Sequence, residues 1–228
     1  MSESQFSYKK ETFLIPLIAL ASIWLVYFIE IKFKLNFNNY GIYPQSIKGL
    51  RGVILSPFIH SDAKHLINNS VPLAVMLGCL YYFYFKIANK VLILGVLFTG
   101  FLTWTFARPA NHIGASGVVY FLVSFIFFSG MLRKYYRLIA LSLAVVFLYG
   151  SMVWYILPVE EHISWEGHLS GFLVGLLFAF LFKSVGPKPE LFEFAQNEEF
   201  DVLFDEEGNF NPPVVENESL EENKSEEL

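Results

Sequence analysis

Six long apolar segments constrain this chain more than any other feature of its sequence. They cover residues 13–31, 66–85, 91–107, 116–132, 137–157 and 168–183. A helix that crosses a bilayer needs about 20 predominantly apolar residues, with about 17–25 tolerated. Because lipid offers the backbone no hydrogen-bond partners, such segments must be helical. The sequence therefore predicts an all-α membrane protein, with a bundle of six transmembrane helices over residues 13–185.

Basic residues in the connections predict which helix ends face the cytoplasm. Lys9 and Lys10 precede the first segment, and further basic residues follow the second, fourth and sixth: Lys86, Lys90, Arg133, Lys134, Arg137, Lys183 and Lys188. Cytoplasmic connections are enriched in Lys and Arg. With six spans, both termini, including the short segment 1–12, are therefore predicted to be cytoplasmic. We expect a multi-pass protein of a bacterial inner membrane.

The acidic residues are concentrated in the C-terminal part of the chain. Residues 190–228 contain 14 Asp/Glu and one basic residue, whereas residues 1–189 contain 7 Asp/Glu and 15 Lys/Arg. A segment with so much charge and so little apolar periodicity cannot bury enough surface to fold. Residues 186–228 are predicted to be an acidic, disordered cytoplasmic tail. The single cysteine, Cys79, lies in an apolar segment and excludes an intramolecular disulfide.

Three short motifs place polar side chains at the beginnings of apolar segments. They are His65-x-x-x-Asn69, Gly114-Ala115-Ser116-Gly117 and Gly167-His168-x-x-Gly171. Burying polar side chains at membrane depth costs free energy, so such residues are interpreted first as functional. Spans two, four and six begin on the same side of the membrane, so these motifs can converge. A nucleophile, a base and hydrogen-bond donors are what acyl transfer requires.

Ser116 is the candidate nucleophile, and His168 is the candidate general base that would take its proton. The only nearby carboxylate, Glu166, lies two residues from His168 and points to the other side of a helix. A Ser–His dyad is therefore favoured over a triad. Tyr120, one helical turn after Ser116, either packs against the imidazole or is an ordinary core aromatic.

His65 and Asn69 lie one helical turn apart, so both can donate hydrogen bonds toward one point, as an oxyanion hole requires. Alternatively, they form a polar contact between helices. Glycines around the serine, Gly114 and Gly117, let a substrate backbone approach closely, although a Gly-x-Ser-Gly sequence is also common in helix packing.

Glycines at every fourth position, Gly167, Gly171 and Gly175, predict close approach of another helix to the sixth span. The remaining histidines lie on the same side as the motifs. His112 is a candidate anchor for the loop before Ser116, His60 is a candidate structural residue, and His162 has no assigned role.

The three motifs resemble those of the rhomboid family of intramembrane serine proteases. Tyr120 and the first-loop sequence Tyr40-Gly41-Ile42-x-Pro44 also match, and the resemblance extends over about residues 12–184. It implies a six-helix bundle in which Ser116 is the nucleophile, His168 is the base, and His65 with Asn69 forms the oxyanion hole. A Trp-Arg pair, frequent in the first loop of bacterial members, has no equivalent here.

The sequence thus predicts a serine endopeptidase that cleaves single-span membrane proteins near the outer ends of their transmembrane helices. Its expected partners are transmembrane substrates and the lipid bilayer, with no cofactor, metal or nucleic acid. Two alternatives remain at this point. One is a catalytically inactive relative that binds and routes membrane proteins. The other is a membrane protein whose histidines ligate haem or a metal.

Overall fold

The computed structural model describes residues 8–148, 154–160, 163–187 and 198–211. The helices in these ranges are α1 (Glu11–Phe33), α2 (Gly52–Leu55), α3 (Ala63–Phe83), α4 (Ala88–Phe106), α5 (Ser116–Arg133), α6 (Tyr136–Leu148), α7 (Trp165–Leu181) and α8 (Glu198–Asp201). Four of them, α1, α3, α4 and α5, are long and apolar enough to cross a membrane, and α6 and α7 are shorter apolar helices. The predicted all-α membrane bundle is confirmed.

The boundaries of the last two helices differ from the prediction. Instead of one helix over residues 137–157, α6 is described to Leu148, residues 149–153 lie outside the described ranges, and Trp154–Ile156 form a separate 3-10 turn. Pro158 disfavours the helical conformation at Leu157, so a helix through residue 157 is not expected to persist.

The sixth span also begins earlier than predicted, at Trp165 instead of residue 168. Its first turn therefore contains Glu166, whose side chain is only 1% exposed. A carboxylate near a helix N-terminus interacts favourably with the helix dipole. Glu166, which precedes the span predicted at 168–183, therefore belongs to the helix.

Helix α5 lies at the centre of the bundle and packs against α3, α4, α6 and α7. Its aromatic side chains Phe121 and Phe125 are fully buried. The closest approach is to α7, where a methyl group added at Gly171 would lie 2.1 Å from Gly117 O and one added at Gly175 would lie 2.4 Å from Phe121 O. The close helix approach predicted from the glycine spacing is confirmed.

Helices α3, α5 and α7 begin at the same end of the bundle, which we call the serine end because Ser116 lies there. The loop between α1 and α3 is folded over this end. It contains 3-10 turns at Asn38–Tyr40, Ile47–Arg51 and Ser56–Phe58 in addition to α2. Two backbone hydrogen bonds between Ile42 and His112, of 2.9 and 2.8 Å, join it to the loop before α5.

Residues 190–228 form a second unit, separate from residues 1–189. Its described part, residues 198–211, contains α8 and an antiparallel bridge between Phe204 and Phe210. Asp205 stabilises the intervening turn by accepting hydrogen bonds from the backbone N–H groups of Glu207 and Asn209. Most of the tail predicted at 186–228 lies outside the described residues, and its disorder stays a prediction.

The α5–α7 contact predicts different outcomes for two glycine substitutions. Gly171→Ala forces a methyl group against backbone and should lower the free energy of unfolding by about 1–3 kcal/mol. Gly78→Ala is the matched control, because its methyl group would meet its nearest atom, Thr12 O, at an ordinary 3.6 Å. The control should be neutral or stabilising by up to about 1 kcal/mol. Unfolding in detergent measures both, and equal stability of the two variants would contradict the packing argument.

Candidate active site

Ser116 and His168 meet across the contact between α5 and α7. Ser116 is the first residue of α5, and His168 is the fourth residue of α7. Ser116 Oγ lies 2.8 Å from His168 Nε2, although the two residues are 52 positions apart in the chain. The imidazole is buried, with 6% of the residue exposed. This is the distance at which a base can take the proton of a hydroxyl group.

The second ring nitrogen of His168 is held by a backbone carbonyl. His168 Nδ1 lies 2.8 Å from Tyr155 O, in the segment between α6 and α7. Because a carbonyl oxygen only accepts hydrogen bonds, Nδ1 carries the proton and donates it. In the neutral imidazole, Nε2 is then an acceptor for the Ser116 hydroxyl. Tyr155 O thus occupies the position that a carboxylate has in a Ser–His–Asp triad.

Tyr120 packs flat on the imidazole. The two ring centroids are 4.2 Å apart, with an angle of 14° between the ring planes. Tyr120 lies one turn along α5 from Ser116, so the helix that carries the serine also restricts the orientation of the histidine. Tyr120 was expected either to pack against the imidazole or to be an ordinary core aromatic. The structure supports packing against the imidazole.

His65 and Asn69 point from α3 toward Gly114. A methyl group added at Gly114 would lie 2.6 Å from His65 Nε2 and 3.5 Å from Asn69 Nδ2. Asn69 is buried, and its Nδ2 has no hydrogen-bond partner among the described residues. Gly114 has φ +105°, a conformation that other residues adopt only with strain. Asn69 Nδ2 is therefore a donor beside Gly114 that a further group could use.

The orientation of His65 follows from the way α3 begins. Asp62 caps the helix by accepting a 2.9 Å hydrogen bond from the backbone N–H of His65. This bond lowers the pKa of Asp62. Ser61 Oγ lies 3.3 Å from His65 Nδ1, on the side of the ring away from Gly114. The cap therefore fixes where α3 begins, and His65 and Asn69 lie one turn apart on the same face of this helix.

Comparison with known proteins identifies the family of this chain. A family model of the rhomboid domain matches residues 48–185, which is more than half of the chain. The chain belongs to the rhomboid family. Uncharacterized proteins of Mycobacterium tuberculosis (strain H37Rv) and Mycobacterium bovis are each 32% identical to this rhomboid over 179 residues, covering 71% of this chain and 72% of theirs. An uncharacterized protein of Mycobacterium leprae is 29% identical over 177 residues, covering 71% of this chain and 68% of its own.

The rhomboid domain has a cavity of about 1070 Å³ at the serine end. Its wall contains the four side chains predicted from the motifs, together with Tyr120 and Tyr155: His65, Asn69, Ser116, Tyr120, Tyr155 and His168. Charged side chains, among them Lys64 and Glu160, also line it. A space of this size and mixed polarity can hold an extended peptide segment beside Ser116.

Two of the three remaining histidines lie close to the site. His112 Nδ1 lies 2.6 Å from Ser164 Oγ, and its Nε2 lies 2.9 Å from Arg108 O, so it anchors the loop before Ser116. Burial lowers the pKa of His112. The ring of His60 is 5.0 Å from that of His65. His162 lies outside the described residues.

Sequence reasoning missed two participants in this region. Tyr155 O contributes through its backbone, and no residue type signals such a role. Glu166 was judged only as a partner for His168, whereas its Oε1 lies 3.6 Å from the guanidinium of Arg108. No local sequence pattern signals this contact, because Arg108 and Glu166 are 58 residues apart.

The burial of His60 predicts a pH dependence of stability. Burial, with a smaller effect of His65, lowers the pKa of His60 from 6.5 to about 4. Between these values the unfolded chain binds a proton that the folded chain excludes, so the folded state loses stability as the pH falls.

Compared with His60→Leu, the wild type should lose about 2 kcal/mol of unfolding free energy between about pH 7.5 and about pH 5. Reversible unfolding of both proteins in detergent at the two pH values measures this change. A difference between them that does not vary with pH would contradict it.

Proposed function

We propose that this rhomboid is an intramembrane serine endopeptidase with Ser116 as nucleophile and His168 as general base. The observation that supports this most is the 2.8 Å contact between Ser116 Oγ and His168 Nε2 in a cavity beside the beginning of α5. The inactive relatives considered as an alternative lack the serine or the histidine. This chain has both, at hydrogen-bonding distance.

The proposed reaction begins when His168 Nε2 takes the hydroxyl proton and Ser116 Oγ attacks the scissile carbonyl carbon. The carbonyl π electrons move to oxygen, which becomes an oxyanion. When the intermediate collapses, the C–N bond breaks, and the amine leaves with the proton from His168. Water then releases the acyl group from Ser116 by the same steps in reverse.

The oxyanion would be stabilised next to Gly114. His65 Nε2 and Asn69 Nδ2 point there, and the first N–H groups of α5 have no partners within the helix. The positive end of the helix dipole adds to this stabilisation. The absence of a side chain at Gly114 leaves the space that the oxygen needs.

The proposed substrates are single-span membrane proteins cut near the outer ends of their transmembrane helices. The segments that connect or flank the helices at the bundle end opposite to Ser116 contain more Lys and Arg than those at the serine end, although the first connection, 32–65, also contains five. By the positive-inside rule this balance supports an outer location for the serine end. A bacterial inner membrane with both termini in the cytoplasm fits this arrangement. A substrate must unwind to expose its carbonyl carbons, so Gly or Pro near the cut should favour cleavage.

The dyad is tested with Ser116→Ala, His168→Ala and the double variant. Each single change should reduce cleavage of a single-span substrate in detergent by about 10³-fold or more, and the double variant should be no worse, because the residues act as one unit. Ser124→Ala is the matched control: Ser124 lies two turns further along α5 and donates to Phe172 O on α7. It should retain cleavage.

Substantial cleavage by Ser116→Ala would refute the serine mechanism. The same digests, analysed by mass spectrometry, locate the cut in the substrate. A cut at the cytoplasmic end of the substrate helix would overturn the proposed orientation of the site.

The oxyanion assignment predicts a partial defect for Asn69→Ala. Loss of one donor costs about 10²–10³-fold in kcat when the other donors remain. Asn68→Ala is the control, because Asn68 is the next residue along α3 and is exposed. Steady-state cleavage rates compare the two variants. Wild-type turnover by a His65→Ala, Asn69→Ala double variant would exclude these side chains as the oxyanion hole.

A further inference from the structure

Glu166 is a buried carboxylate that the proposed reaction does not use. Its Oε1 accepts a 3.2 Å hydrogen bond from the backbone N–H of Arg108 and lies 3.6 Å from the Arg108 guanidinium. Arg108 Nη2 also donates to Ile163 O at 2.8 Å. The carboxylate therefore contacts the loop that ends at Ser116, and not His168, whose Nδ1 is bonded to Tyr155 O.

A second polar contact joins the same two segments. His112 Nε2 lies 2.9 Å from Arg108 O, so this nitrogen carries the proton. In the neutral ring, Nδ1 then accepts from the hydroxyl of Ser164, at 2.6 Å. His112 lies four residues before Ser116, and Ser164 lies four residues before His168. The contact thus connects the two chain segments that lead into the proposed dyad.

We call Arg108, His112, Ser164 and Glu166 the loop clamp. A buried ion pair is weak support for stability, because removing the charges from water is costly and apolar residues of similar volume often stabilise the fold as well. What the clamp does provide is a defined separation between the loop at 108–115 and the first turn of α7. That separation determines where Ser116 and Gly114 lie relative to His168.

We propose that Glu166 and Ser164 are positioning residues for the Ser116–His168 pair, acting through Arg108 and His112 on the loop at 108–115. This inference rests on the proposed function. Glu166 does not contact the reacting atoms; it keeps the loop at the distance at which the hydroxyl is hydrogen-bonded to the imidazole. A misplacement of about 1 Å in such a pair can reduce a rate by about 10²-fold.

The chain contains a matched control for this carboxylate. Glu30, on α1, is also buried, and its Oε1 accepts the backbone N–H of Phe37 at 2.6 Å. This hydrogen bond holds the loop after α1, which contains neither Ser116 nor His168. Replacing Glu30 therefore removes a buried carboxylate and its loop contact without changing the clamp.

The experiment compares Glu166→Ala, Glu166→Gln, Ser164→Ala and Glu30→Ala in the full-length chain in detergent. Three quantities are measured: the labelling rate of Ser116 by a fluorophosphonate, kcat and KM for a single-span substrate, and the midpoint of thermal unfolding. The labelling rate measures the reactivity of Ser116 and the stabilisation by the oxyanion site without a protein substrate.

Glu166→Ala should reduce kcat and the labelling rate together by about 10–100-fold, with KM nearly unchanged. Glu166→Gln should recover much of both rates, because its amide oxygen still accepts the Arg108 N–H. Ser164→Ala should be impaired in the same direction. Glu30→Ala should lower the unfolding midpoint and keep both rates within about twofold of wild type.

The positioning role is overturned if folded Glu166→Ala is labelled at the wild-type rate, or if Glu30→Ala loses as much activity as Glu166→Ala. Should Glu166→Ala fail to fold, Ser164→Ala decides: wild-type rates in that variant overturn the role, and reduced rates support it. Absence of both labelling and cleavage in the wild type would refute the proposed function itself, and the inference with it.

Discussion

The rest of the serine end depends on the close contact between α5 and α7. Gly171 and Gly175 have no side chains where the carbonyls of Gly117 and Phe121 approach, so the two helices touch backbone to backbone. A side chain at either glycine would separate the helices and break the 2.8 Å contact between Ser116 and His168. In lipid, where apolar surfaces gain little by associating with one another, such small-residue packing is a main source of helix association.

Helix packing alone does not determine where the loops lie, and three carboxylates contribute to their placement. Asp62 holds the end of the first loop to the first turn of α3, Glu166 on α7 holds the loop before α5, and Glu30 on α1 holds the loop after α1. All three are carboxylates that accept backbone N–H groups. The helices therefore provide the framework, and a few polar contacts at its end define the shape of the cavity.

The sequence was sufficient for the features that repeat or that carry a distinctive residue type. Apolar runs predicted the helices, and the spacing of Gly167, Gly171 and Gly175 predicted the helix contact. Glu166 was placed outside the sixth span because a carboxylate interrupts an apolar run. Its burial depends on Arg108, 58 residues away, which no local pattern reveals. The role of Tyr155 was equally inaccessible, because every residue has a backbone carbonyl.

His168 Nδ1 is bonded to the carbonyl oxygen of Tyr155 and not to a carboxylate, which affects the charge of the proposed intermediate. In the proposed intermediate, His168 is an imidazolium and the substrate oxygen is an oxyanion, so the two reacting groups together carry no net charge. A carboxylate bonded to His168 would add a negative charge that burial makes costly. Tyr155 O orients the imidazole by its dipole alone, and the face of Tyr120, 4.2 Å away, is attractive to a cation. Glu166 has the guanidinium of Arg108 as its counter-charge, so it can position the loop while the proposed dyad operates without a charged third member.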